Sequence, residues 1–228
     1  MTDTDVRREI VRVCNRLYER HLIAGADGNV SVRISFDHVL VTPRGFSKAS
    51  VEEHDLVLVN LDGKRIGGRH EPSSEVAMHL AIYRAREDVN AVVHAHPPVA
   101  TAFAVAGISL PGDVLPELAV QMGEVPVVPY ATPGSQAMPE ALAPYLPNYD
   151  AFLHANHGAT TVGCTLAEAH HRMESLEHSA NILLTARLLG RVNALGAEDA
   201  RILEAARRKA IAGRMTGEWR AADAGREA

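Results

Sequence analysis

Three β-rich runs, NVSVRI (29–34), HVLVT (38–42) and DLVLVNL (55–61), follow one another separated by turn residues. A parallel crossover needs a dozen or more residues, so runs this close are expected to pair antiparallel. Helical periods surround them. Residues 5–22 space Val6, Ile10, Val13, Cys14, Leu17 and Leu22 as one apolar stripe, ended by Gly25 and Gly28. A helix is expected over about 74–86, then the strand NAVVHAH (90–96), a helix near 98–106 and a strand at VPVVPY (125–130). The strands AFLH (151–154) and ATTVG (159–163) come next. The longest helix is expected over 165–189, with Leu166, Ala169, Met173, Leu176, Ala180 and Leu183 on one stripe, and a last one over 197–212. A polar tail from about 213 reads as flexible. There is no internal repeat, the 46% apolar content is ample for a sizeable core, and the length fits one large α/β domain or two small ones.

Charge and composition exclude several roles. The net charge is −5 with no cluster of Lys and Arg, which argues against nucleic acid or an anionic membrane as the main partner. No apolar run approaches the roughly 20 residues that span a bilayer. The start, MTDTDVRREIVR, has no apolar leader, so a cytoplasmic location is expected. The only cysteines, Cys14 and Cys164, are too few for a thiolate site, and any metal must be held by His and carboxylate.

Chemistry concentrates in three short segments. On an extended strand, His94 and His96 point to one face while Ala95 turns into the core, so both imidazoles can reach one ion. Among 12 histidines such a pair also arises by chance. In GGRHEPSSE, Pro72, Ser73 and Ser74 open a helix, and hydroxyls at a helix start make an anion site. Ordinary capping by Ser73 is the plainer reading. Glu75 is placed as a metal ligand or as a general base. In HANHGATTVG, the turn at Gly158 frees His157 from the strand ladder, making it the choice over His154 for a third imidazole. Three imidazoles and one carboxylate leave positions open for substrate, as catalytic sites do.

The motifs GNVSVR (28–33), TPRG (42–45), EPSSE (71–75), HAH (94–96) and NHG (156–158) together resemble the class II aldolase/adducin family over about residues 5–190. The resemblance is greatest to its L-fuculose-phosphate aldolase and L-ribulose-5-phosphate 4-epimerase branch. It implies a single domain over 1–228 with a three-layer α/β/α fold around a central, mostly antiparallel sheet, and a homotetramer with active sites at subunit interfaces. It implies Zn2+, with Mn2+ or Co2+ as substitutes, on His94, His96, His157 and Glu75, with Glu75 also the catalytic base. It implies a phosphate pocket of Asn29, Gly45, Ser73 and Ser74. The implied reaction is cleavage of a phosphorylated ketose to dihydroxyacetone phosphate and an aldehyde through a metal-stabilised enediolate. A sugar-phosphate epimerase, or a decarboxylase of a 3-oxo acid or its phosphate, would use the same intermediate. An adducin-like interaction module would need none of these residues intact.

Two positions depart from the branch. Counting back from PYAT (129–132), Leu115 stands where fuculose-phosphate aldolases carry a catalytic tyrosine, and the tail offers only Trp219 as an aromatic residue. Arg44 replaces a threonine of the phosphate loop, and a guanidinium can grip phosphate or carboxylate through two hydrogen bonds. On the long helix, His170, His171, Glu174, Glu177 and His178 form a second polar cluster, expected on a solvated or intersubunit face opposite the apolar stripe.

Overall fold

The computed structural model describes residues 2–214. Helix α1 (Asp3–Glu19) starts two residues before the apolar stripe because Thr2 and Asp5 cap each other's backbone at its N-terminus. Strands β1 (Asn29–Arg33), β2 (His38–Val41) and β3 (Val57–Asn60) form the expected antiparallel meander, extended by a short edge strand β4 (Arg65–Gly67). Helix α2 (Val76–Ala85) leads into β5 (Ala91–Ala95), followed by α3 (Pro98–Ala106) and α4 (Pro116–Gln121). Then come β6 (Val127–Val128), α5 (Ala137–Leu142), β7 (Ala151–His154), β8 (Gly158–Gly163), α6 (Leu166–Leu188) and α7 (Ala197–Arg214). Since α7 runs to Arg214, the rest of the expected tail, Trp219 included, lies outside the described residues.

The eight strands form one sheet in the order β4-β3-β2-β1-β5-β8-β7-β6, and among the described residues only the β6–β7 pairing is parallel. The α/β class and the mostly antiparallel sheet are thus as expected. Strand alternation sorts the side chains into two cores. Ala91, Val93 and Ala95 join residues of α1, α3, α4 and α6 on one face. Val92, Val41, Val59 and Phe152 pack with Met78, Ile82 and Tyr83 of α2 and Met138 and Leu142 of α5 on the other. His94 therefore lies on the α2 side of the sheet, in step with Val92.

Several expected elements differ. The run 125–130 narrows to Val127–Val128 because Pro126 and Pro129 cannot donate to a ladder. The elements β4, α4 and α5 were not legible, being three to six residues long and, in the two helices, interrupted or opened by proline. Helix α6 buries more than its apolar stripe, since His170, Arg172 and Ser179 are also enclosed. Arg172 and Arg86 converge on the buried Asp150 at 3.2 and 2.9 Å, which ties α6 and the end of α2 to the start of β7. Truncating Asp150 to Ala would leave these guanidinium groups short of a buried anion. A loss of about 3 kcal/mol in urea denaturation is expected.

Candidate metal and active site

The site grows out of the central strand. β5 is flanked by β1 and β8, with Asn29 opposite His94 on one side and Thr160 opposite His94 on the other. His94 is fully buried at the end of the strand, and His96 emerges just past it, one quarter exposed. The β7–β8 turn, with Asn156 in the left-handed region at φ 56°, swings His157 over the same point. The ring centroids of His94, His96 and His157 lie 4.8–5.2 Å apart. Their ligand nitrogens are within 4.8 Å of one another. Gly158 makes this approach possible: a Cβ there would stand 2.5 Å from His96 Cδ2 and 2.7 Å from the Ala95 carbonyl oxygen.

Glu75, just ahead of α2, closes the fourth side. Its Oε2 lies 3.4 Å from His94 Nε2 and its Oε1 3.2 Å from His157 Nε2. Oε1 is buried with no hydrogen-bond partner. Burial raises the Glu75 pKa, against the lowering effect of a hydrogen bond from Asn29 Nδ2 at 2.7 Å. Burial lowers the pKa of His94 far below the ordinary imidazole value, with neighbouring imidazoles adding to it, and lowers that of His157 to about 4. All three imidazoles are therefore neutral near pH 7, the form in which a nitrogen can bind metal.

In two of the imidazoles the nitrogen facing away from the cluster is met by another group, while His157 Nδ1 is buried without a hydrogen-bond partner. His94 Nδ1 meets Thr160 Oγ1 at 3.0 Å, and that hydroxyl also meets His154 Nε2 at 2.8 Å. His96 Nδ1 faces Asp27 Oδ2 at 3.6 Å. These contacts direct both Nε2 atoms inward. Three Nε2 lone pairs and an unsatisfied carboxylate oxygen, in a pocket with no opposing cation among them, fit a divalent ion of the zinc type.

The two loops expected to hold an anion are laced together by backbone. Ser73 N–H donates to the Thr42 carbonyl and Arg44 N–H to the Glu71 carbonyl, so the TPRG and EPSS loops lie side by side. Gly45 sits at φ 76°, a conformation that favours glycine. Ser74 and Arg44 are exposed, and Ser73 is buried. The helix proper starts at Val76, later than expected, and Ser73 Oγ accepts from Glu75 N–H at 3.3 Å. The Asn29 side chain, expected in the phosphate pocket, turns instead to Glu75 and to His79, whose Nε2 is 2.5 Å from Asn29 Oδ1. Only the second amide proton of Asn29 is left for a ligand.

Sequence reasoning overlooked Lys48, His79, Thr160 and Asp27. Lys48, buried, donates to the carbonyls of Ala26 and Phe46 at 2.9 Å each and so joins the loop before β1 to the TPRG loop. The signal for His79 was its place four residues after Glu75, one turn along the same helix. The second polar cluster also needs correction. His170 is buried rather than solvated, and Glu177 accepts the N–H groups of Val99 and Ala100 at the start of α3. His170, His171 and Glu174 come within ligand distance, but Arg20 already pairs with Glu174 at 3.1 Å, which disfavours a cation there.

Comparison with known proteins agrees with this architecture. Residues 8–184 match the family model for the class II aldolase and adducin N-terminal domain, and the chain belongs to this family, whose enzymes are metal-dependent. Within it, the chain is 33% identical to a 3-oxo-tetronate 4-phosphate decarboxylase of Haemophilus influenzae, over 81% of this chain and 90% of that protein. It is 35% identical to an L-fuculose phosphate aldolase of Methanococcus vannielii, over 77% of this chain and 93% of that one. A solved L-fuculose 1-phosphate aldolase superposes with a TM-score of 0.84 at 30% identity, covering 90% of this chain and 96% of that chain. No helix among the described residues is long and apolar enough to cross a membrane.

Two outcomes follow from this geometry. Metal-free protein should take up zinc stoichiometrically by elemental analysis, and His96→Ala should lose it on dialysis. In metal-free protein, His79 and His154 are held neutral by burial down to about pH 3, and His157 to about pH 4, whereas an unfolded imidazole titrates near 6.5. The unfolded chain binds more protons throughout that window, so stability is full above about pH 6.5 and falls as the pH drops through it. The melting temperature should be lower at about pH 5 than at about pH 7.5.

Proposed function

We propose that the chain is a divalent-metal-dependent carbon–carbon lyase that cleaves a phosphorylated ketose to dihydroxyacetone phosphate and an aldehyde. The observation that carries this reading is the convergence of three neutral imidazoles on the buried, partly unsatisfied Glu75 carboxylate. His94, His96 and His157 would hold the ion, with Glu75 as a further ligand before substrate arrives. When bound, a zinc-type ion polarises a substrate carbonyl and offsets the negative charge left by bond cleavage. Gly45, Ser73, Ser74 and Arg44 would grip the phosphate through N–H groups, hydroxyls and guanidinium, with Asn29 contributing its free amide proton. Glu75, its pKa raised by burial, would return a proton to the enediolate carbon in cleavage and remove it in the aldol direction.

Decarboxylation of a 3-oxo acid phosphate is the second reading, and Leu115 favours it. Retro-aldol cleavage must take a proton from the leaving carbinol oxygen, whereas departing CO2 needs no such group. Leu115 precedes α4 and packs against the apolar core, so it offers none. The first relatives named above include both activities, in keeping with one shared enolate step. The homotetramer that the family resemblance implies is proposed here as well, and Leu188 and Leu189, 80% and 83% exposed at the end of α6, support self-association of some kind. Light scattering on a size-exclusion column should report a mass well above the 24.6 kDa chain.

A substrate panel separates the two chemistries. L-Fuculose 1-phosphate and related ketose 1-phosphates should release dihydroxyacetone phosphate, read by coupled reduction, and 3-oxo-tetronate 4-phosphate would release CO2 if the second reading holds. Glu75→Gln should lower kcat for the accepted substrate by about 100-fold or more. Product release that persists in both Glu75→Gln and His96→Ala would remove these residues from the mechanism.

A further inference from the structure

Behind Glu75 lies a buried polar ladder of which the lyase reaction as described uses only Asn29. β1 presents Asn29, Ser31 and Arg33 on one face, and α2 with its preceding residue presents Glu75, His79 and Tyr83 one turn apart. Tyr83 Oη is 2.8 Å from Ser31 Oγ, and Ser31 Oγ is 2.6 Å from His79 Nδ1. His79 Nε2 is 2.5 Å from Asn29 Oδ1, and Asn29 Nδ2 is 2.7 Å from Glu75 Oε2. Arg33 closes the far end, donating to the Tyr83 carbonyl and lying over its ring. Asn29, Ser31, His79 and Tyr83 are each less than 5% exposed, on the face whose apolar core holds Val41, Val59, Val92, Met78 and Ile82. An apolar set would fill this space at lower desolvation cost, so the polar one calls for a role.

The donor inventory gives the ladder a direction. A carboxylate accepts only, so Asn29 must turn its NH2 to Glu75 and its carbonyl to His79. That carbonyl needs a donor, which fixes the proton of the neutral His79 ring on Nε2 and leaves Nδ1 to accept. Nδ1 then takes the Ser31 hydroxyl proton, and the Ser31 oxygen takes that of Tyr83. Every hydrogen bond from Tyr83 onward points toward the same carboxylate oxygen.

We propose that His79, backed by Ser31 and Tyr83, is a positioning residue that holds Asn29 as a one-way donor to Glu75 Oε2. Fixed in this way, Oε2 stays on Asn29 while Oε1 is left bare toward His157 and the imidazole cluster. Loss of His79 frees the Asn29 amide to rotate, and the carboxylate loses its fixed orientation. The proposal rests on the reading of Glu75 as ligand and base, but its first readout needs neither metal nor substrate.

Long-range proton–nitrogen NMR of metal-free protein labelled with 15N-histidine reads the ring directly. His79 should appear as a single Nε2–H tautomer at neutral pH, and an Nδ1–H ring, or an average of the two, overturns the direction assigned here. In zinc competition against a chelating dye, His79→Leu should bind zinc about 10-fold or more weakly. With the substrate found by the panel, it should lower kcat by a similar factor while KM changes little. His79→Gln, which keeps a donor for Asn29, should recover part of both losses. A folded His79→Leu with wild-type zinc affinity and kcat overturns the proposal. Should that variant fail to fold, Ser31→Ala and Tyr83→Phe decide it, each removing a single hydroxyl. Both variants keep the Asn29 carbonyl, so the Nε2–H tautomer is expected to persist while zinc binds more weakly, and an unchanged zinc affinity in both overturns the role of the ladder.

Discussion

Everything at the site depends on the alternation of side chains along β5. Ala91, Val93 and Ala95 are spent on the core with α1, α3 and α6, which leaves Val92 and His94, with His96 just beyond, for the opposite face. Because β5 is enclosed by β1 and β8, the register cannot slip without turning both imidazoles into an apolar core. The strand that stabilises the fold is thus the strand that aims the ligands, and the two roles are not separable by mutation there.

Around that strand, each further group comes from a different direction. Glu75 arrives from α2 above the sheet, His157 from the β7–β8 turn, and Asp27 from the loop ahead of β1. No charged partner neutralises Glu75 among these groups, since the imidazoles are neutral near pH 7. A carboxylate with a raised pKa and a bare oxygen is poor structural cement. It is suited to sharing an ion and exchanging a proton, which is the chemistry that both aldol cleavage and decarboxylation require.

Much of this was legible from sequence because the relevant patterns are local. The HAH spacing on a strand, the serines before a helix and the turn at Gly158 all carry their geometry within a few residues. The antiparallel meander was legible for the same reason. What escaped were contacts made across the fold: Thr160 behind His94, Lys48 between two loops, and the Asn29 amide turned to Glu75 rather than to an anion. Short elements opened by proline, such as α4, give too few residues for a period to register. The cluster on α6 misled because its polar residues were read together as a solvated or intersubunit face, while His170 is buried and Glu177 is bound to the start of α3.

The paired TPRG and EPSS loops have a consequence for how such an enzyme changes over generations. Their cross-bonds from Arg44 to Glu71 and from Ser73 to Thr42 make the proposed anion grip and the proposed general base one stiff piece. An insertion in either loop would displace Glu75 along with the phosphate. New substrates are therefore reached more readily by altering segments outside these two loops. Relatives that act on different sugars or acids can then share one handle while differing in what they release.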